Sequence, residues 1–387
     1  VKILFLDQSG KCGGAELCLL DLVRQFQEHQ THEGLVALFE DGHFREQLEA
    51  HQIPVRVLAQ KTLQVRKNSG LGSGLASLGR LIPLIAQVTR FSRAYDVIYA
   101  NTQKALVVGA IASALSSRPL VYHLHDILSL EHFSATNRRL AVTLANRAAI
   151  VIANSEATRS AFIEAGGRPE LVEVIYNGFQ PNAFSTDVNL QDLRASLGLE
   201  GRFIVGHFSR LSPWKGQHVL LDALTHCDPE VSAIFVGDAL FGEHAYVQQL
   251  QAQVDRLGLR DRVRFLGFRS DVIPLMHLCD LIAHTSTAAE PFGRVIVESM
   301  LCGKPTIAAK AGAAIELIEP EVTGWLVSPG DPMQLADTID YCHHHRENAL
   351  AVAKQGQRSA SQRFNLKNIH DQLTHLLNTK LAATRRS

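Results

Sequence analysis

The sequence predicts an α/β protein made of two doubly wound domains of similar size. Three observations carry that expectation. Short apolar runs rich in Val and Ile recur along the chain and end in a polar residue or Gly. Stretches with helical spacing separate them, which makes strands alternate with helices. The rhythm breaks once, near residue 180, and then restarts.

The elements follow in order. "KILFLD" is a strand, and "AELCLLDLVRQFQ" after it has the apolar period of a helix. "LVALFE", "DVIYAN", "PLVYHLH", "AAIVIANS" and "VEVIYNG" are the next strands. Their hydrophobicity is continuous rather than alternating, so both faces are buried, as in a parallel sheet. "NGFQPNAFSTDVNLQDLRASLGLEG", with its Pro, Gly and polar residues, interrupts the pattern. "RFIVGHFS", "SAIFVGD", "VRFLGF", "DLIAHTS", "KPTIAAK" and "GWLVSP" form the second set. The expected domains are 1–182 and 183–364. A last helix over 365–387 is expected to cross back to the first domain before a basic tail.

Composition excludes several classes. The chain has 387 residues, 46% hydrophobic and 20% charged, with no formal net charge. That is a globular composition without the basic field of a nucleic-acid binder. The six cysteines form no CxxC pair, so they read as free, mostly buried thiols in a reducing cytoplasm. "VKILFLDQSG" has no basic leader and does not read as a signal peptide. No apolar run is long enough to span a bilayer. Charge is uneven, however. Lys61 to Arg147 holds eleven basic residues against Asp96, Asp126 and Glu131. "LGRLIPLIAQVTRFSR" within it is either a solvated helix face or a basic amphipathic surface for anionic lipid.

Ligands of open parallel sheets bind outside the carboxyl ends of the strands, so those loops hold the candidates. "DQSGKCGGAE" opens a helix, and Gly13 and Gly14 allow close backbone approach to a phosphate. It fits neither GxGxxG nor a Walker loop. Glu40 ends the second strand as a dehydrogenase ribose acid would, but without that fingerprint. In "HFSRLSPWKGQH", Arg210 and Lys215 flank a turn before a helix and suit a diphosphate. "EPFGRVIVE" places Glu290 ahead of Pro291 and Gly293, with Glu298 a little over two turns along the following helix. Two such acceptors could grip two sets of hydroxyls. Gly237 and Asp238 end one strand; Phe268 and Arg269 end another. His123, His125 and Asp126 end a strand of the first domain, but no third ligand at fitting spacing follows, so no metal site is expected.

Together, "GGAE", "SRLSPWKG", "FVGD", "FLGF", "EPFGRVIVE", "GKPTIAAKAG" and "GWLVSPGD" resemble the retaining glycosyltransferases of family 4. The resemblance covers nearly the whole chain and is strongest from Phe203 to Asp337. It implies the GT-B fold, two Rossmann-like domains facing across a cleft. It implies a catalytic set of Glu290, Arg210, Lys215 and His125. Glu290 would contact the transferred sugar, Arg210 and Lys215 the diphosphate, and His125 would lie near the sugar and the acceptor. Donor contacts would come from Gly14, Gly237, Asp238, Phe268, Phe292, Gly293, Arg294 and Val295, with Glu298 on the ribose. The resemblance implies no metal and no cofactor besides the nucleotide-sugar co-substrate, with UDP-glucose the expected donor on frequency. A glycan or lipid-linked acceptor in polysaccharide biosynthesis is expected, in the cytoplasm or at the inner face of the plasma membrane. The competing readings are a non-catalytic nucleotide-sugar sensor on the same fold and a dehydrogenase, which leaves the paired glutamates unexplained.

Overall fold

The computed structural model describes residues 1–8, 10–58, 71–131, 133–239 and 243–384. The chain divides into two compact units, Val1–Phe179 with Leu366–Ser387, and Gln180–Asn365.

The strands of the first unit are β1 (Lys2–Asp7), β2 (Glu33–Leu38), β3 (Val55–Val57), β4 (Val97–Ala100), β5 (Leu120–Leu124), β6 (Ile150–Ala153) and β7 (Val172–Val174). They lie in the order β3-β2-β1-β4-β5-β6-β7, and every pairing is parallel. Its helices are α1 (Gly14–Glu28), α2 (His43–Ala50), α3 (Leu71–Ser92), α4 (Gln103–Ser116), α5 (Ala135–Ala145) and α6 (Glu156–Glu164). Ile3, Leu4, Phe5 and Leu6 of β1 are all buried, as continuous apolar strands covered on both faces must be.

The second unit carries α7 (Leu190–Ser196), β8 (Phe203–Phe208), α8 (Gln217–Leu224), β9 (Val231–Val236), α9 (His244–Arg256), β10 (Val263–Gly267) and α10 (Val272–Leu278). It continues with β11 (Leu281–His284), α11 (Arg294–Leu301), β12 (Thr306–Ala309), α12 (Ala314–Leu317), β13 (Trp325–Val327), α13 (Pro332–His344) and α14 (Arg346–Arg363). The sheet order is β10-β9-β8-β11-β12-β13, again all parallel.

The last helix, α15 (Leu366–Thr384), belongs to the first unit. Ile369, Leu373, Leu377 and Leu381 repeat every four residues and join Leu19, Val23 and Phe26 of α1 in one core cluster. Each such side chain contributes about 1.5–3 kcal/mol on burial. That stripe holds α15 against this unit.

The basic stretch is only partly described. Lys61, Arg66 and Lys67 lie outside the described residues, as does the side chain of Arg80. On α3, Leu84 and Val88 are buried while Ile82 is largely exposed. Among the described residues, no helix is long and apolar enough to cross a membrane. No disulfide joins any of the six cysteines, and five of them are buried.

Candidate active site

Each sheet reverses its strand order once, between β1 and β4 and between β8 and β11. Such a switch point opens a crevice at the carboxyl ends of the strands. The candidate residues of the second unit gather there. The turn Pro213–Lys215 follows β8, and Gly216 takes a left-handed φ of 72° to start α8. A Cβ at Gly216 would overlap the Thr285 carbonyl oxygen, so only glycine lets this loop lie against the end of β11. The Thr285 hydroxyl donates to the Gly216 carbonyl at 2.7 Å and fastens the same contact.

Lys215 reaches from that turn to Glu290. Its Nζ donates to both carboxylate oxygens, at 3.0 and 2.7 Å. The side chains are only 15% and 11% exposed, so the pair is nearly dry. His284 Nε2 stands 3.2 Å from Glu290 Oε2, and the Ser286 hydroxyl donates to that oxygen at 3.1 Å. Burial alone would raise the Glu290 carboxyl. The Lys215 ammonium and the His284 ring together outweigh it and hold the group well below the usual carboxylate range. Glu290 is also fixed through its backbone by a parallel bridge to Gly312, where a Cβ would overlap the Glu290 main chain.

The structure corrects one expectation here. Glu298 is not two turns into the helix that follows Glu290. Glu290 sits in the loop, and α11 starts at Arg294 behind a left-handed Gly293, so Glu298 lies about one turn in. Glu298 pairs with Arg294 Nε at 3.3 Å. Phe292 is buried and meets Phe364 edge to face, so its side chain belongs to the core and only its backbone can serve a ligand. Val295 packs beside the cluster formed by Leu275, Met276 and Ile282.

Arg210 follows a different partner from Lys215. Its Nε lies 3.5 Å from Glu243, which also accepts from the Ser212 hydroxyl at 2.6 Å. The Arg210 carbonyl accepts from buried Gln217 at 2.9 Å. Three strand-end loops are laced together here. Ser209 N donates to Val236, Leu211 N to Asp238, and Gly237 N to Gly267. This places Gly237 and Asp238 beside the Arg210 loop, with Phe268 next in line and 76% exposed.

In the first unit, Asp7 ends β1, and Asn101 and His125 follow β4 and β5. Asn101 Nδ2 donates to Asp7 Oδ2 at 2.7 Å, and His125 Nε2 lies 2.9 Å from Asn101 Oδ1. The His125 ring packs on His123, 3.9 Å between centroids. His123 in turn bonds the Tyr99 hydroxyl at 2.8 Å. Burial, with His125 adding to it, pushes His123 well below the ordinary imidazole range. Among the described residues, no metal-ligand cluster includes His123 or His125. Gly14 opens α1, and Glu16 caps it by accepting from Gly13 N at 2.9 Å. Glu40 is exposed just after β2.

Sequence reasoning missed His284, Ser286, Asp7 and Asn101. Strand alternation could have found the first two, since residues two apart at the end of β11 face the same side. Asp7 and Asn101 carry no local signal beyond ending a strand.

Comparison with known proteins completes the picture. Residues 190–359 match the family of glycosyl transferases group 1, and residues 12–183 match glycosyltransferase family 4. The crystal structure of HepE from Anabaena in complex with UDP-glucose is 56% identical, covers 98% of this chain and 99% of its own, and superposes with a TM-score of 0.90. WaaG, a glycosyltransferase involved in lipopolysaccharide biosynthesis, shares the fold at 15% identity, with 97% and 99% of the two chains covered and a TM-score of 0.73. The D-inositol 3-phosphate glycosyltransferase of Mycobacterium sp. (strain KMS) is 29% identical over 273 residues. That match takes in 66% of this chain and 61% of the relative, so the chain spans about three fifths of that relative's length.

Proposed function

The chain belongs to the family 4 glycosyltransferases of GT-B fold, and from that premise we propose that it moves glucose from UDP-glucose to a hydroxyl acceptor with retention of configuration. The observation that carries this reading is the nearly dry Lys215–Glu290 pair at the second switch point. The 56% identity to HepE, which was crystallised with UDP-glucose, supports the choice of donor.

In this scheme the donor diphosphate lies against Lys215 and Arg210. The leaving group gains negative charge as the bond from the anomeric carbon to phosphate oxygen breaks. Fixed cations in a dry site stabilise that charge with little reorganisation. The scheme assigns this work to the two side chains and to the backbone N–H groups of Phe292, Gly293 and Arg294, and calls for no cofactor. Glu290 accepts from the sugar hydroxyls and Glu298 from the ribose, with Val295 alongside. Gly237, Asp238 and the Phe268 backbone border the base. Donor phosphate then competes with Glu290 for the Lys215 ammonium.

The sugar passes through an oxocarbenium-like state. The acceptor oxygen attacks from the face that the phosphate leaves. Its proton goes to the departing phosphate oxygen, and UDP is released. His125 is assigned to the donor sugar and the acceptor, and the backbone at Gly14 to the donor phosphates. The acceptor is a glycan or lipid-linked glycan at the inner face of the plasma membrane. Ile82 and Arg90, both exposed on α3, support peripheral contact with such a surface.

The test is UDP release. UDP-, GDP- and ADP-glucose are each supplied with and without glycan acceptors. UDP-glucose should turn over fastest, and Glu298→Ala should chiefly raise its KM. Tight binding without release would leave a sensor instead. A trapped covalent glycosyl-enzyme would refute the same-face route.

A further inference from the structure

The other end of the second sheet holds a cluster that the transfer reaction does not use. Asp228 and Glu230 lie in the loop that leads into β9. His343 and His344 close the last turn of α13. His344 Nε2 lies 3.9 Å from Asp228 Oδ2, and His343 Nε2 lies 3.6 Å from Glu230 Oε2. Both separations are too long for hydrogen bonds. They are close to the spacing of two ligands on one tetrahedral ion, about 3.4 Å for bonds near 2.1 Å. One ligand atom from each of Asp228, His343 and His344 falls within 4.8 Å of the others.

The surroundings hold these groups in place. Asp228 Oδ1 accepts from Glu230 N at 2.8 Å, which leaves Oδ2 directed at His344. Asp228 N donates to Asp340 at 3.1 Å, adding a further negative charge nearby. The His343 ring packs on Phe203 at 4.6 Å. Its Nδ1 is buried with no partner among the described residues, and its Nε2 faces Glu230.

The geometry points to a site for one divalent transition ion of the zinc class, bound by Asp228, His343 and His344, with the exposed Glu230 turning in from beside His343 to supply the fourth ligand. Two imidazoles and two carboxylates suit zinc or nickel better than calcium or magnesium. Binding draws His344, whose side chain is 56% exposed, inward by about an ångström to reach such bonds. The ion then clips the end of α13 to the loop before β9. Gly237 and Asp238 stand at the opposite end of β9, six residues or about 20 Å away. The ion is therefore structural and does not touch the donor.

The experiment is a zinc titration of the full chain by calorimetry, with cobalt absorption as a second readout. One ion should bind with a Kd in the low micromolar range or tighter, raise the melting temperature, and give tetrahedral cobalt bands. His344→Ala and Asp228→Asn should each weaken binding at least tenfold. Both should fold, since His344 is exposed and Asn keeps an acceptor for Glu230 N. His345→Ala, one residue outside the cluster, should bind as the parent does. Absence of one-to-one binding, or affinity unchanged by both variants, overturns the site.

Discussion

The two switch points place polar groups at equivalent ends of similar sheets, yet they hold them differently. In the second unit the network is ionic. Lys215 and Glu290 face each other with His284 and Ser286 behind the carboxylate. In the first unit a chain of hydrogen bonds runs from Asp7 through Asn101 to His125, with no lysine or arginine in those links. A charged pocket suits a charged leaving group, and a hydrogen-bonded one suits hydroxyls. The lesson is that one topology supplies a location, while the residues on a few loops decide which chemistry occupies it.

The sharpest way to break this contrast is to remove the cation. Lys215→Ala should lower turnover of UDP-glucose by about 10²–10³-fold, the scale for losing one preorganised group at a developing charge. It also strands Glu290 in a nearly dry site, so stability should fall too. Lys215→Met with Glu290→Gln removes both charges. Urea unfolding of the double variant should recover most of the lost stability, while UDP release stays low. Recovery of both would make the pair structural and erase its role at the phosphate.

A smaller effect is expected in the first unit. Asn101→Ala takes one partner from the Asp7 carboxylate and one from His125 Nε2. Leaving buried polar groups short of a partner costs about 1–3 kcal/mol. The melting temperature should drop, and acceptor-dependent transfer should fall more than donor hydrolysis. Equal loss of both activities would sink the division of labour between the two networks.

The same contrast explains what was legible in the sequence. Strand runs and the restart near residue 180 revealed two parallel sheets, because fully buried strands need continuous apolar stretches. "EPFGRVIVE" and "SRLSPWKG" stood out because their loops crowd several functional residues into one short window. The Asp7–Asn101–His125 chain was not legible as a unit. Its members come from strand ends at residues 7, 101 and 125, and although His125 stood out, nothing local marks Asp7 or Asn101 as its partners. The helical phase of Glu298 was also misjudged, because a left-handed Gly293 delays the start of α11 to Arg294. The spacing between the two glutamates shows only that both lie near that start.

The smallest effect, and the one that separates the two networks by acidity, is the pH dependence of stability. His207, buried under the Lys215 loop, is pushed down from 6.5 to about 3, chiefly by burial and next by the nearby His284. Below 6.5 the unfolded chain takes up a proton that folded His207 refuses, so stability falls as pH falls toward 3. By pH 5.5 this amounts to about 1.4 kcal/mol for one fully buried histidine. His123 in the first unit acts in the same direction. Glu290 adds nothing in that window. Its depressed carboxyl contributes stability that is complete above 4.5 and is lost only as pH drops through and below that value. Urea unfolding at pH 7, 5.5 and 4 should therefore resolve two arms. His207→Asn should make the fall shallower from 6.5 down to about 3, with His123 keeping part of it, and Glu290→Gln should make it shallower only in the arm below 4.5. If Glu290→Gln flattened the upper arm instead, the carboxylate would be protonating near neutrality, and the ionic character assigned to the second switch point would be wrong.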